Sequence, residues 1–131
     1  MSPAGAGAGL DPAVSIAIDC LPAVNTGPAP LVVGDPSGRL ARALADAGAR
    51  PGIWLRRAGG HARPAPWPEP GPFTAACVRL PKAKDELAFL LGAASTVLAP
   101  RAPMVVLGAN DEGIRSAATL LEHVAEAVET L

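Results

Sequence analysis

Short apolar runs alternate along this chain with longer stretches whose apolar residues recur every three or four positions. The runs are Leu31-Val32-Val33, Ile53-Trp54-Leu55, Phe73 to Leu80 and Met104 to Leu107. Too short for helices and apolar on both sides, they predict strands buried on both faces. Between the first two, Arg39 to Ala47 predicts a helix with Leu40, Ala43, Leu44 and Ala47 on one face, stopped by Ala47-Gly48. Lys84 to Ala99 carries the clearest helical pattern, with Leu87, Leu90, Leu91, Ala94 and Leu98 on its apolar face. Asp85 and Glu86 suit its positive end, and Pro100 and Pro103 stop it. Ile114 to Leu131 predicts a final helix, with Ala117, Leu120, Leu121, Val124 and Val128 inward and Glu122, Glu126 and Glu129 outward. Buried strands alternating with amphipathic helices define an α/β three-layer sandwich with an open, mostly parallel, doubly wound sheet.

The remaining stretches are less regular. Ser2 to Gly9 is Ala/Gly low complexity. Asp11-Pro12 is a good helix start, while Val14 to Leu21 fits either a leading helix or an edge strand. Asn25 to Pro30 is a turn-rich connector. Residues 1–30 are therefore set apart from an α/β domain over 31–131. Gly59 to Pro72 is a long Pro/Gly loop carrying His61, Arg63 and Trp67, of the length that is usually functional or disordered.

Composition narrows the function classes. The chain has 131 residues, enough for one domain, with 50% apolar residues and a formal charge of −1. Bulk charge thus favours no partner, and the chain has neither the low hydrophobicity nor the high net charge of a disordered protein. Aromatics are scarce (Trp54, Trp67, Phe73 and Phe89), which argues against an aromatic platform for single-stranded nucleic acid. Cys20 and Cys77 sit in apolar runs and read as buried reduced thiols; neither finds partners at metal-ligand spacing, so no metal site is expected. With no secretory segment and no apolar run near the roughly 20 residues of a membrane span, a cytoplasmic location is expected.

In doubly wound folds the ligand crevice lies beyond the carboxyl ends of the strands. The first end, Gly34-Asp35-Pro36-Ser37-Gly38, keeps two glycines but puts a proline between them, removing one backbone donor. It reads as a plain strand-to-helix turn, or as a divergent cofactor loop built on Gly34, Asp35 and Gly38. The second end carries Arg56 and Arg57 where a nucleotide fold places a ribose-holding carboxylate; a guanidinium has no acceptor, although it holds phosphate well. At the third, Arg79, Lys82 and Lys84 precede a helix whose dipole disfavours them, fitting either an anion site or a solvated turn. The fourth, Gly108 to Gly113, has Asn110 placed for a turn or N-cap and Asp111 and Glu112 in the next first turn.

No nucleophile–base pair stands out: Ser37, Ser95 and Ser116 have no histidine nearby in sequence. His61 lies in the irregular loop, His123 on the last helix, and Glu112 alone makes no acid–base pair. No catalytic residue is assigned.

Two blocks carry a family resemblance. Arg79, Leu80, Pro81, Lys82 and Lys84 form the first; Gly108, Asn110, Glu112, Gly113, Ile114, Arg115 and Ser116 form the second. Together, with a Leu-rich helix and apolar strand between them, they resemble the amino-terminal domain of bacterial ribosomal RNA guanine-N2 methyltransferases, those of the C type that act on the small subunit, and their large-subunit relatives. The resemblance covers Leu31 to Leu131. It implies a class I methyltransferase-like (Rossmann-like) fold, and a degenerate duplicate that no longer binds cofactor but supports a carboxyl-terminal catalytic domain and helps hold RNA. The glycine-rich cofactor loop and the Asn-Pro-Pro-Phe motif of that catalytic half do not occur in this sequence.

The expectation is therefore a non-catalytic domain with no cofactor, partnered by a catalytic domain in cis or in trans. Arg56, Arg57, Arg79, Lys82 and Lys84 are its candidate contacts to ribosomal RNA. The first alternative is an active S-adenosylmethionine-dependent methyltransferase using Gly34, Asp35 and Gly38. The second is a standalone protein-interaction module. The family sheet normally ends in an antiparallel strand pair that has no counterpart in this sequence, so an open edge and pairing into a homodimer or with a partner domain are also expected.

Overall fold

Residues one apart in a buried strand point to opposite faces, so each apolar run must feed two cores at once. The computed structural model describes residues 26–56, 64–81 and 83–108. Four strands form one parallel sheet: β1 (Pro30–Val33), β2 (Gly52–Trp54), β3 (Ala75–Arg79) and β4 (Met104–Leu107), in the order β2-β1-β3-β4. Two helices connect them, α1 (Arg39–Asp46) after β1 and α2 (Lys84–Ser95) after β3. The described sheet is parallel throughout, where the sequence predicts a mostly parallel one.

Register turns the runs into two rows. Val32 lies opposite Ile53 and Cys77, and Cys77 opposite Val105. That row packs with Leu40, Ala41 and Leu44 of α1. Val33 lies opposite Trp54 and Val78, and Val78 opposite Val106. This second row packs with Leu87, Leu90, Leu91, Ala93 and Ala94 of α2. The helices thus cover opposite faces, as a doubly wound sandwich requires.

The helix faces depart from expectation in detail. α1 buries Leu40, Ala41 and Leu44, whereas Ala43 is half-buried and Ala47 exposed. The helix ends at Asp46, so Ala47 is its cap and never reaches the next inward turn. α2 ends at Ser95 rather than Ala99. The hydroxyls of Ser95 and Thr96 donate to the carbonyls of Gly92 (2.7 Å) and Ala93 (2.6 Å), competing with continued helix. Leu98 leaves the helical face and bridges Phe73, whose N–H donates to Val97 O at 2.8 Å while Ala99 N–H donates to Phe73 O at 2.8 Å. Ala93, off the predicted apolar face, is buried as well, and Leu98 is half-buried against the same core.

The second half of the Pro-rich loop is ordered against the sheet. Pro64 bridges Leu55, Ala65 N–H donates to Leu55 O at 2.7 Å, and the indole N–H of Trp54 donates to Ala65 O at 2.9 Å. The edge just past β2, at Leu55, thus meets a segment whose prolines cannot extend the pairing, a common protection for an edge strand. Residues 57–63, which include the start of that loop, the leading segment 1–25 and the expected last helix lie outside the described residues.

Candidate functional site

From β1 the chain runs to β2 on one side and then crosses back to β3 on the other, so the topological switch point lies between β1 and β3. Gly34 and Arg79 face each other there. Gly34 has φ 76, and a Cβ added to it would lie 3.5 Å from Arg79 O. Its N–H donates to Trp54 O at 3.0 Å. Gly38, at φ 77, is the N-cap of α1 and has no capping side chain. Both glycines of the loop thus occupy a backbone region that other residues rarely adopt.

The capping falls to Asp35, which is 1% exposed. Its Oδ1 accepts from Ser37 N–H (3.1 Å) and Ser37 Oγ (2.6 Å), and its Oδ2 accepts from Leu40 N–H (3.1 Å). The buried carboxylate satisfies an orphan donor of α1 and fixes the turn. The motif pattern does not reveal this, because Asp35 stands three residues before the cap position.

Beyond β2, Arg56 Nη1 lies 3.3 Å from Glu86 Oε1, in the first turn of α2. Its guanidinium carbon stands 4.3 Å from the Phe89 ring centroid, and Phe89 contacts both Trp54 and Trp67. Trp67 and Phe89 are themselves partly exposed. Neither partner of Arg56 is visible from sequence spacing, since Glu86 lies 30 residues away.

Beyond β3, Arg79 is half-buried and its Nη1 donates to the carbonyls of Leu80 (3.2 Å) and Leu107 (3.4 Å). Leu80 N–H also donates to Leu107 O at 2.7 Å, extending the β3–β4 pairing past the strands. Gly108 follows β4 and is half-buried. Arg57, Lys82, Asn110, Glu112, Gly113, Ile114, Arg115 and Ser116 lie outside the described residues, as does the side chain of Lys84. So do Cys20, His61, Arg63, Asp111 and His123.

A shallow cleft of about 290 Å³ opens at the other end of the sheet, lined by Gly27, Thr74, Pro100, Arg101 and Pro103. It sits at the amino ends of β3 and β4, away from the switch point. Cys77 is a free thiol, fully buried in β3, and burial pushes its pKa from 9.0 to about 12. Among the described residues no group of three His, Cys, Asp or Glu side chains is placed to hold a metal ion. Among them, too, no helix is long and apolar enough to cross a membrane.

A parallel α/β sheet of this order, with helices on both faces, defines a Rossmann-like fold. Residues 26–131 match the family described as methyltransferase small domain, N-terminal, and the chain belongs to that family. The match agrees with the resemblance to the amino-terminal domain of ribosomal RNA methyltransferases. No curated protein and no solved structure matches the chain.

Proposed function

We propose that this chain is a methyltransferase-like domain without catalysis of its own, which supports a catalytic methyltransferase domain and contributes cations to RNA binding. The end of β2 carries the reading. A nucleoside cofactor needs an acceptor there for its ribose hydroxyls, and Arg56 offers only donors, engaged with Glu86 at 3.3 Å. Asp35 supports it, because both of its carboxylate oxygens already accept hydrogen bonds within their own turn. The described residues therefore do not fit S-adenosylmethionine, and no methyl transfer is assigned to them.

The cations that follow β2 and β3 supply the RNA side. Arg56, Arg57, Lys82 and Lys84 all come after parallel strands, whose carboxyl ends share one edge of the sheet. Phosphate contacts there make affinity fall with salt, with a slope of roughly −0.7 to −0.9 per neutralised phosphate. Titration of a ribosomal RNA hairpin across a salt series tests this part; binding insensitive to salt contradicts it. Co-elution with a catalytic methyltransferase domain on size exclusion tests the supporting role, and separate elution contradicts it.

A further inference from the structure

Arg79 belongs to the same basic run as Lys82 and Lys84, yet its surroundings differ from those of a surface cation. It is half-buried at the last position of β3. One nitrogen of its guanidinium donates to Leu80 O at 3.2 Å and to Leu107 O at 3.4 Å, carbonyls that are 27 residues apart in sequence and adjacent at the carboxyl end of the sheet. The ladder has just ended there. Leu80 N–H still reaches Leu107 O at 2.7 Å, and Pro81 has no N–H with which to continue it. Terminal carbonyls of a parallel sheet need donors, and a cationic donor bonds them more strongly than a neutral one. Across the switch point Gly34 follows Val33, the partner of Val78, and a Cβ added to it would meet Arg79 O at 3.5 Å, an ordinary contact distance.

We propose that Arg79 is a positioning residue and not a phosphate contact. It clamps the carboxyl ends of β3 and β4 and so fixes where the chain leaves the sheet at Pro81. The RNA part of this assignment rests on the proposed function; the clamp itself does not. A lysine keeps the charge and could donate from one nitrogen, but its ammonium ends one bond short of the position of Arg79 Nη1, which serves both carbonyls, so it replaces Arg79 poorly.

The test compares Arg79→Ala, Arg79→Lys and Lys82→Ala in the full chain, by thermal unfolding, amide exchange at Leu80, and titration of a ribosomal RNA hairpin across a salt series. Arg79→Ala is expected to lower Tm by roughly 3–8 °C. It should speed exchange of the Leu80 amide several-fold and weaken RNA binding with the salt slope unchanged. Arg79→Lys, the milder change, should also speed Leu80 exchange, whereas Lys82→Ala should reduce the salt slope by roughly 0.7–0.9 and leave Leu80 unaffected. A slope reduced by the same amount in Arg79→Ala, or a Leu80 amide unchanged in both Arg79 variants, overturns the clamp. If the unaltered chain binds no RNA, the RNA part of the proposed function fails, while Leu80 exchange and Tm still decide the clamp.

Discussion

Asp35 and Leu40 are joined across the β1–α1 turn by a 3.1 Å hydrogen bond, from the Leu40 N–H to the Oδ2 of a buried carboxylate. This bond ties the Gly34 to Gly38 loop to the first turn of α1. The carboxylate starts α1 and holds the turn, while Ser37 occupies its other oxygen. Replacement of Asp35 by Ala leaves the buried Leu40 donor without its acceptor. The expected loss is about 2–4 kcal/mol, combining a lost cap with an unsatisfied donor. Asp35→Asn, which keeps one acceptor oxygen, should lose less. Urea unfolding measures both, and a neutral Asp35→Ala would show that the cap contributes nothing.

Trp54 ties the Pro-rich segment to the sheet. Its ring is 2% exposed and its indole N–H donates to Ala65 O at 2.9 Å. Trp54→Phe should cost about 1–2 kcal/mol and free the Ala65 amide to exchange faster; Trp54→Ala should cost about 3–5 kcal/mol. Chemical denaturation with amide exchange reads both effects. Unaltered Ala65 exchange in Trp54→Phe would mean that backbone pairing with Leu55 alone holds the segment.

Cys77 should resist alkylation in the folded protein and react only on unfolding, because burial raises its thiol pKa to about 12. The same shift makes stability pH-dependent in the alkaline range. The native state keeps its proton where the unfolded thiol loses it, so the contribution is intact below pH 9.0 and is lost as pH rises towards about 12. The slope is about 1.4 kcal/mol per pH unit within that window. Denaturation at increasing pH should show it in the native sequence and not in Cys77→Ala.

Arg56→Ala should change stability by less than about 1 kcal/mol, since its pair with Glu86 is partly exposed and its contact with Phe89 is a surface cation–π interaction. Its effect should instead appear in RNA titration, as a shallower salt slope. A large stability loss with an unchanged slope would make Arg56 a structural residue.

The architecture was legible because burial on both faces leaves a strong mark. Leu31-Val32-Val33 and Met104 to Leu107 are apolar at every position, and register sends alternate residues to α1 and α2. Helix ends were less so. Ser95 and Thr96 stop α2 by bonding back to carbonyls, and Leu98 then pairs with Phe73, a tertiary contact that no helical period encodes. At the site, sequence identified the strand ends and the odd placement of Arg56. It did not show that Asp35 caps α1, that Glu86 meets Arg56, or that Arg79 bonds Leu107. Each of these depends on which chain segments the sheet brings together.

The central claim is that the switch point binds no methyl donor, and calorimetric titration of S-adenosylmethionine and S-adenosylhomocysteine into the intact chain tests it most directly. Because Asp35 is structural, the unaltered sequence is the right subject. No saturable heat at millimolar cofactor is the predicted result. Saturable binding at micromolar cofactor would contradict it and make this domain a cofactor-binding methyltransferase despite Arg56.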